Sequence, residues 1–229
     1  MKYYYDLHIH SDLSPCGNKE MTPNNIVNMA NIKGLNIISV TDHNSTRNLK
    51  AVHEVAECLE IKLIYGIEVT SKEEIHLLCY FKNLQDAEEF GELIYRSLPD
   101  IKNNALIFGE QNIYNSQDEI IGQIDKLLLN ACSYNIDEVY ELSKKYKGIM
   151  IPAHINKKSN SILSVLGFMP FNLELEFIEI FTKEYIDQKF LKKYRTLINS
   201  DAHQLTDIQE AINYIELNSI NEIYEYLHL

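Results

Sequence analysis

The sequence predicts an α/β fold: a parallel sheet wrapped by helices, closed or nearly closed into a barrel. Three observations predict it. Strand-like and helix-like patterns alternate from one end of the 229 residues to the other. Several strand segments are short continuous apolar runs of the kind buried on both faces. No low-complexity linker, fixed-period repeat or composition break interrupts the chain, so residues 1–229 read as one domain, a length at which a barrel is the natural form. Alternation alone does not separate a barrel from a doubly wound open sheet.

The first strand spans about residues 2–10. Thr22 then supplies a helix N-cap and Pro23 the first helical position; Ile26, Val27 and Ala30 form an apolar stripe, and Gly34 a left-handed stop. NIISV (36–40) is the second strand and runs into TDHNST. Leu49, Val52, Ala56 and Leu59 recur at helical spacing. KLIYGIEV (62–69) and IHLLCYF (75–81) are the third and fourth strands. Residues 84–146 turn helical, with stripes at Ala87, Phe90 and Ile94, at Ile120, Ile124, Leu127 and Leu128, and at Ile136, Val139, Tyr140 and Ser143. GIMIPAHI (148–155), EFIEIF (176–181) and TLINSDAH (196–203) return to strand. A last strand near AINYIEL precedes a short helix, where Ser219 and Glu222 have capping-box spacing.

Composition excludes some classes of function. A net charge of −12 opposes a general binder of nucleic acid or of anionic membranes, which would gain no counterion release from this surface. An anionic substrate is still allowed, because bound divalent cations invert the local field. Cys16, Cys58, Cys79 and Cys132 form no CxxC pair and suit a reducing cytosol better than a disulfide framework. No apolar run approaches a membrane span and no signal-peptide pattern opens the chain, so a cytoplasmic location is expected.

The residues with metal-ligand chemistry gather at strand ends. Asp6, His8 and His10 alternate at the end of the first strand and project from one face. His43 follows the second strand, Glu68 ends the third, His76 begins the fourth, and His154 follows GIMIPA. Asp201 and His203 leave TLINS as another alternate pair. In α/β folds this edge is where ligands and catalytic groups collect. A lone histidine there is more often a hydrogen-bonded structural residue, and His53 and His228 fall outside the pattern. Six histidines with Glu68 and Asp201 are another matter. Such a cluster, half buried, is costly without a cation. Imidazole and carboxylate ligands suit zinc, manganese or iron rather than calcium. Eight of them exceed the needs of one ion and predict two or three divalent ions bridged by a carboxylate.

In order, DLHIHS, VTDHNST, GIEV followed by EIHLLCYF, IPAH and NSDAH resemble the motifs of the polymerase and histidinol phosphatase (PHP) superfamily, from residue 6 to about 203. The region 84–146 carries no family motif and reads as a variable insertion flanking the site. The resemblance implies a distorted (β/α)7 TIM-like barrel with a two- or three-metal site acting on phosphate esters. It implies that His8, His10, Glu68 and Asp201 hold a first ion, and that Glu68 bridges to a second held by His76 and His154. A third ion would take His43, His203 and one ligand from the loop after the first strand. There the sequence departs from the common pattern: Pro15 and Cys16 stand where many members carry an acid or histidine. Cys16 and Glu20 are the two candidates for that ligand, and the alternative is a packed thiol with two tightly bound ions.

The implied reaction is in-line displacement at phosphorus by a water activated between the ions bridged by Glu68, with Glu68, Asp201 and His203 as the catalytic candidates. Asp6 and Asp42 could orient ligand imidazoles. Arg47, Lys157 and Lys158 are candidate phosphate contacts, Arg47 and Lys157 foremost, against the ordinary alternative of surface charges. A small phosphorylated substrate, such as a nucleotide, a sugar phosphate or histidinol phosphate, suits the acidic chain best. The alternatives are a phosphodiesterase or exonuclease acting on nucleotide ends or short oligonucleotides, and a metal-binding regulatory module without turnover. A C–N hydrolase, which also uses HxH, ranks below these. Tyr95, Tyr114 and Tyr134 are available for stacking from the 84–146 region, and a homo-oligomer is left open.

Overall fold

A computed structural model describes residues 1–182, 184 and 186–229 of the chain. Strand β1 (Lys2–Ile9) leads through helix α1 (Pro23–Ile32) to β2 (Ile37–Val40), which pairs with it in parallel. The crossover forms as its residues dictate. The Thr22 side chain accepts from the Asn25 N–H, Pro23 sits in the first turn, Ile26, Val27 and Ala30 are buried, and Gly34 turns at φ +76°. Helix α2 (Leu49–Cys58) buries Leu49, Val52 and Ala56 and returns the chain to β3 (Lys62–Leu63), parallel to β2, and then to β4 (Tyr65–Thr70).

The next strand corrects the all-parallel expectation. β5 (His76–Phe81) runs antiparallel to β4, with Thr70 opposite His76. The five residues between them are too few for a parallel crossover, which needs a dozen or more. The reversal matters for the site. It places His76, at the start of its strand, at the same edge as Glu68, near the end of its own.

The 84–146 region is only partly helical. Helix α3 (Leu84–Ser97) buries Ala87, Phe90 and Ile94 as expected, and a single turn, α4 (Ala105–Phe108), follows. The second expected stripe is not a helix. Ile120 belongs to a hairpin of β6 (Asn112–Tyr114) and β7 (Ile120–Gln123), while Ile124, Leu127 and Leu128 are buried in the loop beyond it. The turn explains this: Asn115 accepts from the N–H groups of Gln117 and Glu119, and Asp118 takes φ +59°, which a continuous helix forbids. Helix α5 (Ile136–Lys145), opened by a capping box between Asn135 and Glu138, buries Ile136, Val139, Tyr140 and Ser143.

Strand β8 (Gly148–Pro152) pairs antiparallel with β5. It is followed by α6 (Ile162–Leu166), β9 (Phe177–Glu179), α7 (Gln188–Lys193), β10 (Arg195–Leu197) parallel to β9, β11 (Tyr214–Glu216) antiparallel to β1, and α8 (Ile223–Leu227). The expected capping box before α8 does not close. Ser219 accepts from Asn221 N–H, but Glu222 turns back to the N–H of Asn218 rather than of Ser219.

Among the described residues the ladders fall into four groups, β11-β1-β2-β3, β4-β5-β8, β9-β10 and the β6-β7 hairpin, rather than one continuous sheet. Isolated parallel bridges, Ile9 to Ala202 and His43 to Glu68, join neighbouring groups. The Ile155 N–H also donates to the Glu179 carbonyl at 2.9 Å. One apolar core packs α1, α2, α3 and α5 against the strands. A second draws Leu7, Ile37, Leu78, Ile151, Phe177 and Leu197 from successive strands. No helix among the described residues is long and apolar enough to cross a membrane.

Candidate metal centre

Every strand end that carries a predicted ligand converges on Glu68. Its carboxylate lies 2.9 Å from His76 Nδ1, 3.1 Å from His43 Nδ1, 3.3 Å from His8 Nε2 and from His154 Nε2, and 3.4 Å from His10 Nε2. Asp201 faces the same space, 3.3 Å from His8 Nε2 and 3.2 Å from His10 Nε2. The His10 ring stacks on His203 at 4.3 Å between centroids and lies 4.5 Å from His43. Among the described residues, three groups of ligand atoms are close enough to share an ion: His8, His10 and Asp201; His43, Glu68 and His76; and His10, His43 and His203. His43 is thus as near to Glu68 and His76 as to His203, a placement that the ordered motifs did not foretell.

The chemistry of these donors fits cations. His8 Nε2 and His10 Nε2 approach to 3.2 Å, while the opposite ring nitrogens are engaged, His8 Nδ1 by Glu179 at 3.0 Å and His10 Nδ1 by Ser14 Oγ at 3.1 Å. With Nδ1 engaged on both rings, the two Nε2 atoms face each other, and only a cation, or a proton on one of them, holds them at that distance. His154 Nδ1 is buried and has no hydrogen-bond partner among the described residues, and His43 Nδ1 and Glu68 Oε2, though 3.1 Å apart, are not aligned as a hydrogen bond. Each such orphan costs about 1–3 kcal/mol if left unmet. His154 at φ +29° and Asp201 at φ +53° add backbone strain of about 1–3 kcal/mol each, common at functional sites.

Electrostatics separates the two histidines of the HxH pair. Burial opposes a charge on His8, but Glu179, Asp201 and Glu68 outweigh it and hold its pKa well above the usual histidine value. Burial and the neighbouring His203 and His43 hold His10 well below. Burial likewise lowers His43. Burial would raise the Glu68 and Asp201 carboxyls. The histidines around them win, His76, His8 and His43 for Glu68 and His8 and His10 for Asp201, and keep both well below the carboxylate range.

Glu179 is the functional residue that the sequence reading missed. Buried at the end of β9, it accepts from His8 Nδ1, from the His154 backbone N–H at 2.7 Å and from Asn199 Nδ2 at 2.7 Å. It stands at a strand end like the others and could have been found by the same rule. The expected orienting acids act differently. Asp42 accepts from the backbone and hydroxyl of Ser11 and from Ser14 Oγ, so it reaches His10 only through Ser14. Burial lifts its carboxyl to about 6. Asp6 touches no imidazole; it accepts backbone N–H groups of Ser200 and Gln209 and locks the strand.

Of the expected phosphate contacts, Lys157 is at the site: it lines the same pocket as Glu68 and His203, and its ammonium pairs with Asp201. Arg47 is not in that pocket. It lies over the Tyr95 ring, 3.4 Å from Glu92, in a separate cleft, because the chain turns into α2 directly behind it. Lys158 is exposed and outside the pocket. Cys16 and Glu20 join none of the three ligand groups. Crowding by neighbouring atoms, then the carboxylates of Glu68, Asp42 and Asp201, push the Cys16 thiol up to about 12, the reverse of what a thiolate ligand needs before an ion arrives. Tyr114 is buried against Asp12 and is not available for stacking.

Comparison with known proteins identifies the family. The profile of the PHP domain matches residues 6–158, two thirds of the chain. The chain belongs to the PHP domain family. The match spans DLHIHS, VTDHNST, GIEV, EIHLLCYF and IPAH, whose histidines are among those brought together around Glu68, whereas NSDAH lies beyond it. An uncharacterized protein of Methanocaldococcus jannaschii is 32% identical over 96 residues, 42% of this chain and 12% of its own length. The lesion-specific endonuclease PfuEndoQ of Pyrococcus furiosus superposes with a TM-score of 0.70 at 20% identity, over 99% of this PHP chain and 56% of that one. A Bifidobacterium adolescentis protein, provisionally assigned as a metal-dependent phosphoesterase, superposes with a TM-score of 0.64 at 16% identity, over 97% and 96% of the two chains. The chain thus spans little more than half of PfuEndoQ and a small part of the M. jannaschii relative.

Proposed function

We propose that the protein is a metal-dependent hydrolase of phosphate esters, acting on small phosphomonoesters at the Glu68-centred site. The observation that carries this reading is the convergence of six imidazoles on Glu68 and Asp201, with buried polar atoms of His43, His154 and Glu68 that no aligned hydrogen bond satisfies. The second apolar core, drawn strand by strand, supports a (β/α)7-like barrel with residues 84–146 as its insertion. His8 with Asp201 and Glu68 would hold one divalent ion, Glu68 with His76 and His154 a second, and His10, His43 and His203 a third, each imidazole serving one ion, of zinc, manganese or iron type. When bound, such ions lower the pKa of water and neutralise charge on phosphoryl oxygens.

The chain's own residues do the rest. Glu179 keeps a proton of His8 on Nδ1, so that Nε2 is the nitrogen that would give up its proton to an ion in the pocket. Lys157, beside Asp201 at the pocket wall, is placed to donate to a phosphate oxygen. His203, a third exposed, is the most open of the six site imidazoles and would hold its ion on the side from which substrate arrives.

A second reading, cleavage of phosphodiesters at nucleotide ends, is favoured by the fold shared with an endonuclease. The net charge of −12 works against long nucleic acid. Metal analysis of the purified protein, then assays of phosphomonoesters and diesters with manganese or zinc, test both readings. Bound transition metal and monoester turnover that His154→Ala abolishes are expected. Absence of any bound metal together with absence of any phosphate-ester hydrolysis would falsify the proposal.

A further inference from the structure

The ligands of the centre are held in two different ways. His8 and His154 are fixed to the strands by Glu179, through the His8 ring and the His154 backbone. His10, His43 and His203 instead hang on the loop 11–18. Ser14 Oγ meets His10 Nδ1 at 3.1 Å and accepts the His43 backbone N–H at 3.0 Å, and Asn18 N–H donates to the His203 carbonyl at 2.8 Å. That loop is in turn held by the segment 99–132. Asn112 Nδ2 and the Tyr114 hydroxyl both donate to Asp12 Oδ2 at 2.6 Å, and Asn112 N–H donates to the Asp12 carbonyl at 3.1 Å. Asn48 closes the circuit. Its Oδ1 accepts from Tyr114 N–H at 2.9 Å, and its Nδ2 donates at 2.9 Å to Ser11 Oγ, which donates to Asp42, the partner of Ser14. Gly109, at φ +102°, packs so closely on Pro15 that any Cβ would strike the Pro15 carbonyl oxygen.

We infer that the 99–132 insert clamps the loop 11–18 and thereby sets the affinity for the cation held by His10, His43 and His203, independently of the ligands fixed by Glu179. Asp12, Asn112 and Tyr114 are positioning residues: they touch no ligand imidazole and act through the loop. The inference rests on the metal-centre reading above. Its physical basis is that all three members of this group are imidazoles, so no carboxylate charge among them compensates for misplacement. Second-layer contacts of this kind are worth about 10–100-fold in metal affinity.

The test is a double-mutant cycle read as zinc or manganese affinity by chelator competition, with metal stoichiometry measured alongside. Tyr114→Phe and Asn112→Ala, singly and together, are expected to weaken one ion about tenfold or more. The same substitutions placed on His203→Ala are expected to cause no further loss, while Glu179→Gln still weakens binding in that background. Leu106→Ser, at a 99% exposed position on the same insert, is the control expected to change nothing. Should the double variant not fold, Tyr114→Phe alone, which removes one oxygen, carries the cycle. NMR of the metal-free protein then reads the His10 tautomer directly, and a shift in Tyr114→Phe is expected. Equal weakening with and without His203, or unchanged affinities throughout, overturns the inference and leaves the metal centre standing. Wild-type protein that binds no divalent ion overturns the metal reading itself.

Discussion

The strand edge and the 99–132 insert both bury polar groups, and they differ in where those groups are anchored and in what becomes of their apolar neighbours. At the edge, six histidines and the carboxylates of Glu68, Glu179 and Asp201 are packed against one another, several of them fully buried. The insert also turns polar groups inward but leaves large apolar ones in solvent. It exposes Leu106, Ile107, Ile120 and Ile121 and sends its polar groups, Asn112 and the Tyr114 hydroxyl, inward to Asp12. A fold optimised for stability alone would avoid these choices, because unsatisfied buried polar atoms and strained φ angles each cost on the order of 1–3 kcal/mol. The cost is concentrated where ligand atoms converge, and the insert's buried polar groups point to the same place. Destabilising features that share one target are better evidence of function than any one of them alone.

Glu68→Gln is the largest way to break this comparison. It removes the charge toward which five imidazoles turn, and hydrolysis is expected to fall by at least about 10²–10³-fold, the scale of losing one charge-stabilising group. Steady-state assays on a phosphomonoester check it, with circular dichroism confirming the fold; near-normal turnover would remove Glu68 from the chemistry. Next comes a pair of apolar changes. Phe90→Ala, in the helix that packs the insert to the core, is expected to cost about 3–5 kcal/mol in denaturant unfolding. Leu106→Ser is expected to stay within about 0.5 kcal/mol. Equal effects at the two positions would mean that Leu106 is covered in solution.

The strand edge was legible in the sequence because strand periodicity is short and local. DLHIHS, VTDH, IPAH and NSDAH each place a ligand where an apolar run stops, and the structure brings all of them together. The reversal of β5 was legible too, since five residues cannot carry a parallel crossover, but the apolar run IHLLCYF masked it. The insert was not legible, for a physical reason. Ile120, Ile124, Leu127 and Leu128 have helical spacing, yet what decides their conformation is a turn around Asn115 and Asp118, whose carboxylate caps α1 through Thr22 and Asn24 from 94–96 residues away. Arg47 was misplaced by a similar limit: proximity to a ligand in sequence does not say which side of the loop a long side chain takes. Glu179 needed no tertiary knowledge and was hidden only by its apolar neighbours in EFIEIF.

Glu179→Gln sharpens the comparison from the strand side. The amide keeps the size of the side chain but loses the charge that holds the His8 proton on Nδ1, and its own N–H can meet Nδ1 as a donor and invert the tautomer. Metal affinity is expected to fall about 10–100-fold with little change in unfolding temperature after the metal is removed. Chelator competition measures the first and thermal melts the second. A large loss of stability without loss of affinity would make Glu179 a structural clamp for His154 and Asn199 instead.

The smallest expected effect separates the two regions by their tyrosines. Burial pushes the Tyr5 phenol of the strand layer up to about 12 and Tyr80 well above its usual value, where its hydroxyl donates to the Leu7 carbonyl at 2.7 Å. Burial, then the Asp12 carboxylate, raises Tyr114 in the insert. These folded-state values exceed the unfolded value near 10, so the stability they contribute is complete below about pH 10 and is lost as pH rises through the folded values. Of the fifteen tyrosines, the exposed ones should therefore ionise first, and these three only as the fold opens. Phenolate absorbance followed together with circular dichroism reads both events, and Tyr114→Phe should remove the insert's share of the late step while leaving that of the strands. Titration of all fifteen in one step near pH 10 with circular dichroism unchanged would mean that none of the three is sealed from solvent. In that case the hydrogen bond from Tyr114 to Asp12, and with it the clamp on His10, would open on the time scale of a titration.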